Sequence, residues 1–224
     1  MKKFFAFLFI ATGILAFSSG ASANDVAKVG LNAYSSLSEA VSSAPDGATV
    51  TLLSDVELTE GFALSKDITI DGNDQKYKIT DSTGAEGEWL TVAAGESATV
   101  KNLTVTSSAK KTYPGINVSG TLTVTGCDIT GIRGNVGAAV TVSGGTLNIN
   151  GGTKITDCPT DWVAPIYVNS NKGKGVINIG DVEFSGNNGK MYGAVIGLLG
   201  NGETEINLGA GTVIKGNVCK NGVI

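Results

Sequence analysis

Short segments in which apolar and polar residues alternate recur along this chain at a nearly fixed interval. One series reads Ile68-Thr69-Ile70, Ala98-Thr99-Val100, Leu122-Thr123-Val124, Leu147-Asn148-Ile149, Ile177-Asn178-Ile179 and Ile206-Asn207-Leu208, in steps of 30, 24, 25, 30 and 29 residues. A second runs between its members: Leu90-Thr91-Val92, Ile116-Asn117-Val118, Val140-Thr141-Val142, Ile166-Tyr167-Val168 and Val195-Ile196. A third, Ile79, Ile129, Ile155, Phe184 and Ile214, follows members of the first after about seven residues. Side chains alternate between the two faces of a strand, so each segment sends Ile, Val or Leu to one side and Thr or Asn to the other. No single 24- to 30-residue unit can bury its own apolar face, and stacking identical units solves that. The pattern therefore predicts an all-β solenoid, a single-stranded right-handed parallel β-helix of about five to six coils.

The turns fit this reading. Glycine is 32 of 224 residues and proline only 4. Gly126, Gly131, Gly144, Gly151 and Gly186 fall between the segments, where a tight corner needs positive φ. An antiparallel sandwich also has closely spaced turn signals. Recurrence of the same three segments in the same order favours the solenoid.

Two further regions precede the repeats. Lys2 and Lys3, the apolar run from Phe4 to Phe17 and the small residues ending at Ala23 read as a cleaved secretory signal over residues 1–23. The apolar run is short for a membrane span, so none is expected after cleavage. Residues 24–46 read as an N-terminal cap. Leu37, Ala40, Val41 and Ala44 have helical spacing, Ser36 with Glu39 makes a capping box, and Pro45-Asp46-Gly47 ends the helix. The β-helix occupies 47–224. No matching cap is evident after Ile214, which leaves a strand edge through which a second copy can pair.

Charge and cysteine usage narrow the function. The formal charge of −4 becomes −6 once Lys2 and Lys3 are removed, and Arg133 is the single arginine. That speaks against nucleic acid and anionic membranes as partners. The chain has no histidine, which excludes thiolate–imidazole catalysis and histidine metal sites. Cys127, Cys158 and Cys219 lack CxxC spacing. Cys127 and Cys158 fall on adjacent coils at different offsets, which argues against a disulfide. Cys219 lies near the expected open edge.

The run from Tyr34 to Leu53 (YSSLSEAVSSAPDGATVTLL), followed by Lys66 to Asn73 (KDITIDGN), resembles the N-terminal cap and first coil of pectate-lyase-like proteins. Phe184 to Asn187 (FSGN) and Tyr192 to Val195 (YGAV) resemble the polymorphic outer-membrane (Pmp-type) repeat, and Gly137 to Val140 (GAAV) is a weaker echo. The first resemblance implies polysaccharide cleavage and the second implies surface display and adhesion. In pectate lyases an arginine or lysine base works beside calcium-binding aspartates. Only Arg133 matches the arginine, with no acidic cluster in register. Calcium is thus a cofactor only on the lyase reading, and no cofactor is expected otherwise. A hydrolase needs a carboxylate pair. Asp181 and Glu183 flank Val182 on an outward face, with Asp157 one coil away.

A different pattern points to binding. An aromatic precedes most second-series strands: Trp89, Tyr113, Trp162 and Tyr192, with Arg133 in the turn of the middle coil. In register these form a ladder along one edge, beside Lys110, Lys111, Asp161 and Lys190. Flat aromatic faces next to polar groups suit sugar rings. The reading is a secreted, cell-surface or periplasmic, non-catalytic β-helix that binds a glycan or a surface protein. A small polysaccharide lyase or hydrolase is the alternative, and a structural self-assembling protein the second alternative. Outward threonines (Thr69, Thr91, Thr99, Thr123, Thr141) offer a second, flatter face.

Overall fold

A computed structural model describes residues 22–220. The predicted signal, apart from its last two residues, lies outside them. The described chain is a β-solenoid of about 6 turns, built from three mainly parallel sheets. The first sheet takes one strand per coil from Ala48–Leu52 to Thr204–Leu208, the second from Val56–Leu58 to Val213–Lys215, and the third from Phe62–Leu64 to Ile196–Leu199.

The recurring segments stack residue on residue. Ile68 pairs with Ala98, Ala98 with Leu122, Leu122 with Leu147, Leu147 with Ile177 and Ile177 with Ile206. Leu90, Ile116, Val140, Ile166 and Ile196 form the equivalent column of the third sheet. In the second sheet Val105, seven residues after Ala98, stands between Ile79 and Ile129 and completes the third series. All these columns point inward and form one continuous apolar core, from which water is excluded over most of the axis.

The corner after the second sheet adds a fourth, narrower ladder. Lys111, Gly134, Thr160 and Gly189 bridge in parallel from coil to coil, and Asn188–Gly189 then pairs with Val218–Cys219. Inside this corner Asn187 is fully buried. Its Nδ2 donates to Ile155 O at 2.8 Å and to Asn217 Oδ1 at 2.9 Å, while its Oδ1 accepts from Cys158 N at 3.0 Å. A buried turn leaves backbone groups that no strand satisfies, and a short amide side chain can reach both kinds. The aromatic and the asparagine of the FSGN motif are thus a core plug and a turn ladder, and Asn217 repeats the device one coil on, donating to Phe184 O at 2.8 Å.

The N-terminal end is closed. The helix α1 (Leu37–Ser43) starts as its sequence predicts, with Ser36 Oγ accepting from Glu39 N at 3.1 Å, and it buries Leu37, Ala40 and Val41. A hairpin not foreseen from the sequence, Ala27–Val29 with Asn32–Tyr34, lies antiparallel on Ala48–Leu52 and covers the edge of the first sheet. No helix of the described residues is long and apolar enough to cross a membrane.

Candidate functional site

The loops that leave the fourth ladder and enter the third sheet carry the chemistry-bearing residues. The register of that ladder places Tyr113, Val136, Trp162 and Met191 on one rung of successive coils. Trp162 N donates to Asn135 O at 2.8 Å and Tyr192 N donates to Trp162 O at 2.9 Å. Tyr192 comes one residue after the rung, and its ring meets the Trp162 ring edge-on, with centroids 6.5 Å apart and planes at 76°. Both rings are half exposed, Trp162 at 49% and Tyr192 at 50%.

The same loops carry a charged bridge. Asp161 sits between Lys110 and Lys190, each of which donates to one of its carboxylate oxygens. The bridge spans the coils of Lys110, Asp161 and Lys190 and ties the loops together. Hydrogen bonds from Lys110 and Lys190 hold the Asp161 carboxyl down at about 2, so it stays ionised through any ordinary pH. Its own side chain is 24% exposed and the two lysines are about half exposed, so their remaining N–H donors face solvent.

The predicted ladder is therefore partly corrected. Trp89 is 1% exposed and cannot stack on a ligand. Leu90 registers with Ile116, so Trp89 stands over Gly115 and not beside Tyr113. Its ring packs edge-on to Phe62 at 6.1 Å. Arg133 is exposed, but the pairing of Lys111 with Gly134 sets it level with Lys110, three residues short of the rung. Val136 holds the rung in the middle coil, half-buried against Val163, Ala164 and Tyr167, and separates Tyr113 from the Trp162–Tyr192 pair. Tyr113, at 47%, remains exposed. Tyr167 lies beneath these loops, and burial, with a smaller contribution from Tyr113, pushes its phenol upward.

Lys111 corrects a second expectation. It does not line the edge but is 1% exposed. Its ammonium pairs with Asp81 at 3.1 Å and donates to Thr83 Oγ1 at 3.0 Å, Gly84 O at 2.6 Å and Gly87 O at 2.5 Å. Asp81 Oδ1 also accepts from Thr83 N and Thr83 Oγ1. The loop from Ser82 to Glu88 is thus wrapped around a buried cation. Gly115 is required there, since a Cβ at that position would come within 2.2 Å of Asp81 Oδ2 and 2.9 Å of Trp89 Cδ1.

The second sheet bears the carboxylates weighed for hydrolysis. Asp181 has φ of 56° and is a turn residue preceding the strand. Glu183 lies on the strand, where Ser185 Oγ donates to it at 2.7 Å and Lys215 pairs with it at 3.0 Å. Those contacts hold it below the usual carboxylate range, opposite to what a general acid needs. Among the described residues no three Asp, Glu, Cys or His side chains converge. The outward threonines divide between two sheets. Thr69, Thr99 and Thr123 stack, then give way to Asn148, Asn178 and Asn207, whose amides chain together at 2.8 Å, while Thr141 is buried.

All three cysteines are free thiols. Burial pushes Cys127 up to about 11 and Cys158 up to about 12, while Cys219 is half-buried on the terminal strand. No family model, curated protein or solved structure matches this chain.

Proposed function

We propose that this protein is an exported, surface-associated β-helix that holds a glycan without cleaving it, in the manner of an adhesin. The observation that carries the reading is the half-exposed Trp162–Tyr192 pair on loops that Lys110, Asp161 and Lys190 bridge. Two rings at an angle make a corner in which a sugar ring can lie on one face and touch the edge of the other. The lysine donors and the ionised Asp161 acceptor then reach its hydroxyls. A rigid stack of strands fixes these loops in advance, so little ordering entropy is lost on binding. The resemblance to pectate-lyase-like proteins and to Pmp-type repeats agrees with this reading: the first family handles polysaccharides and the second works at the cell surface.

The test is a glycan array probed with residues 24–224, with and without calcium. Binding to a defined glycan class that is lost in Trp162→Ala and Tyr192→Ala, with unchanged thermal melting, supports the proposal. Silence across a broad array, or binding lost only in parallel with stability, defeats it. Conversion of a bound polymer to shorter products would move the reading to the enzymatic alternative.

A further inference from the structure

Asp81 and Lys111 face each other in a sealed pocket, and the glycan reading uses neither. Asp81 ends the strand Lys78–Asp81 of the second sheet, and Lys111 opens the fourth ladder one coil on. Their side chains are 2% and 0% exposed, with Lys111 Nζ 3.1 Å from Asp81 Oδ2. Gly115 and Trp89 close the pocket on the Oδ2 side. Both backbones are pinned. Ser108 N donates to Asp81 O at 3.0 Å, and Lys111 N donates to Arg133 O at 2.8 Å. A third side chain touches both charged groups. Thr83 Oγ1 accepts from Lys111 Nζ at 3.0 Å and donates to Asp81 Oδ1 at 2.7 Å, while Thr83 N donates to the same Oδ1 at 3.0 Å.

We propose that Lys111 and Asp81 condense to an isopeptide bond, a covalent staple between successive coils. The contact between ammonium and carboxylate is the reactant state. Lys111 passes one proton to the Thr83 hydroxyl, which passes its own to Asp81 Oδ1. A neutral amine then lies beside a neutral acid, and the Nζ lone pair forms a bond to Cγ. A second Nζ proton follows the same route, the Cγ–Oδ1 bond breaks, and Oδ1 departs as water. The three ammonium protons are thus divided between one amide N–H and one water, and the step needs no oxidant, reductant or other co-reactant. The Thr83 N–H keeps Oδ1 turned toward the hydroxyl that serves it.

The site favours this step in three ways. Its two reacting groups are held by separate backbone ladders, so little further ordering is needed to bring them together. Burial excludes bulk water, which is the product of condensation and the reagent of the reverse hydrolysis. The amide is uncharged, so the cost of keeping two charges out of water disappears. The staple would also do what no disulfide does in this chain, since all three cysteines are free thiols. Residues 81 and 111 are 30 apart (111 minus 81), and a bond between them restricts the unfolded chain as a disulfide over that loop would.

Intact-mass spectrometry of residues 24–224, denatured after purification in the folded state, tests the inference. Wild type is expected one water lighter than its sequence. Trypsin is expected to leave Lys111 uncut and to release the segments around 81 and 111 as a single branched peptide. Asp81→Ala and Lys111→Met are expected at full sequence mass, and Thr83→Val is expected to retain full-mass chain that wild type lacks. Slow modification of Cys127 and Cys158 by a thiol reagent reports that each chain was folded. Folded wild type that keeps its full mass overturns the inference. So does a lost water that maps to a succinimide at Asp46–Gly47 or Asp71–Gly72, or one that persists in Lys111→Met. The branched peptide is read on wild type alone, so the test stands even where a variant fails to fold. None of these readings depends on glycan binding.

Discussion

Two corners of this solenoid use the same side-chain types to opposite ends. In the early coils a tryptophan, a lysine and an aspartate (Trp89, Lys111, Asp81) are sealed inside the turn. On the outside, spread from that coil to the third one on, stand a tryptophan, an aspartate and two lysines (Trp162, Asp161, Lys110, Lys190). The neighbours Lys110 and Lys111 each belong to one of them, because alternation along the ladder turns successive side chains to opposite faces. A buried ion pair must be fully hydrogen-bonded to be tolerated, and the carbonyls of Gly84 and Gly87 complete the shell of Lys111. The outer bridge has no such demand, because its half-exposed lysines are solvated. Residue type therefore does not tell a sealed corner from an exposed one; the loop that wraps it does.

The sharpest way to break this comparison is Lys111→Met. It leaves the Asp81 carboxylate buried without its ammonium and is expected to destabilise by about 3–5 kcal/mol in denaturant titration. Lys190→Met, outside, is expected to cost less than about 1 kcal/mol. Similar small costs for both would mean that the inner corner is wet and the contrast false. Truncating the aromatics is the next test. Trp89→Ala is expected to cost about 3–5 kcal/mol through lost burial and the cavity left behind. Trp162→Ala, half in water, is expected to stay within about 1 kcal/mol while removing glycan binding.

Acid titration gives a smaller effect. The Asp161 carboxyl is held at about 2 against its ordinary 3.8, so its ionised form favours the folded state. That contribution is complete above about pH 4 and is lost as pH falls toward 2. For pairs this exposed it amounts to no more than about 1 kcal/mol each. In Asp161→Asn that part of the acid dependence should flatten, and an unchanged curve would show that the bridge adds nothing. The gentlest probe is thiol labelling at pH 8. Cys219 is expected to react first, with Cys127 and Cys158 following only on unfolding, because burial disfavours their thiolates. Early labelling of all three would mean that the coils open locally.

The repeat was legible because parallel stacking writes itself into the chain: Leu122 over Leu147 over Ile177 is the same inward position revisited once per coil. The helix cap at Ser36 was legible for a local reason, a side chain reaching a backbone amide three residues on. The hairpin at Ala27–Val29 was not, since three-residue strands carry too few alternations to count. The aromatic ladder was legible only as a tendency. Loop lengths differ between coils, so a place somewhere in the loop before the next strand put Trp89 and Arg133 on a rung that the backbone register denies them.

What the sequence determined by itself was the solenoid, its three columns and its coil length, because a side-chain period of two and a coil period of 24 to 30 residues are both properties of order along the chain. What only the tertiary structure decided was which polar and aromatic side chains are buried in the corners and which face outward. That depends on how loops of unequal length close over the coil below, and on whether backbone carbonyls arrive there to replace the water that a buried charge gives up.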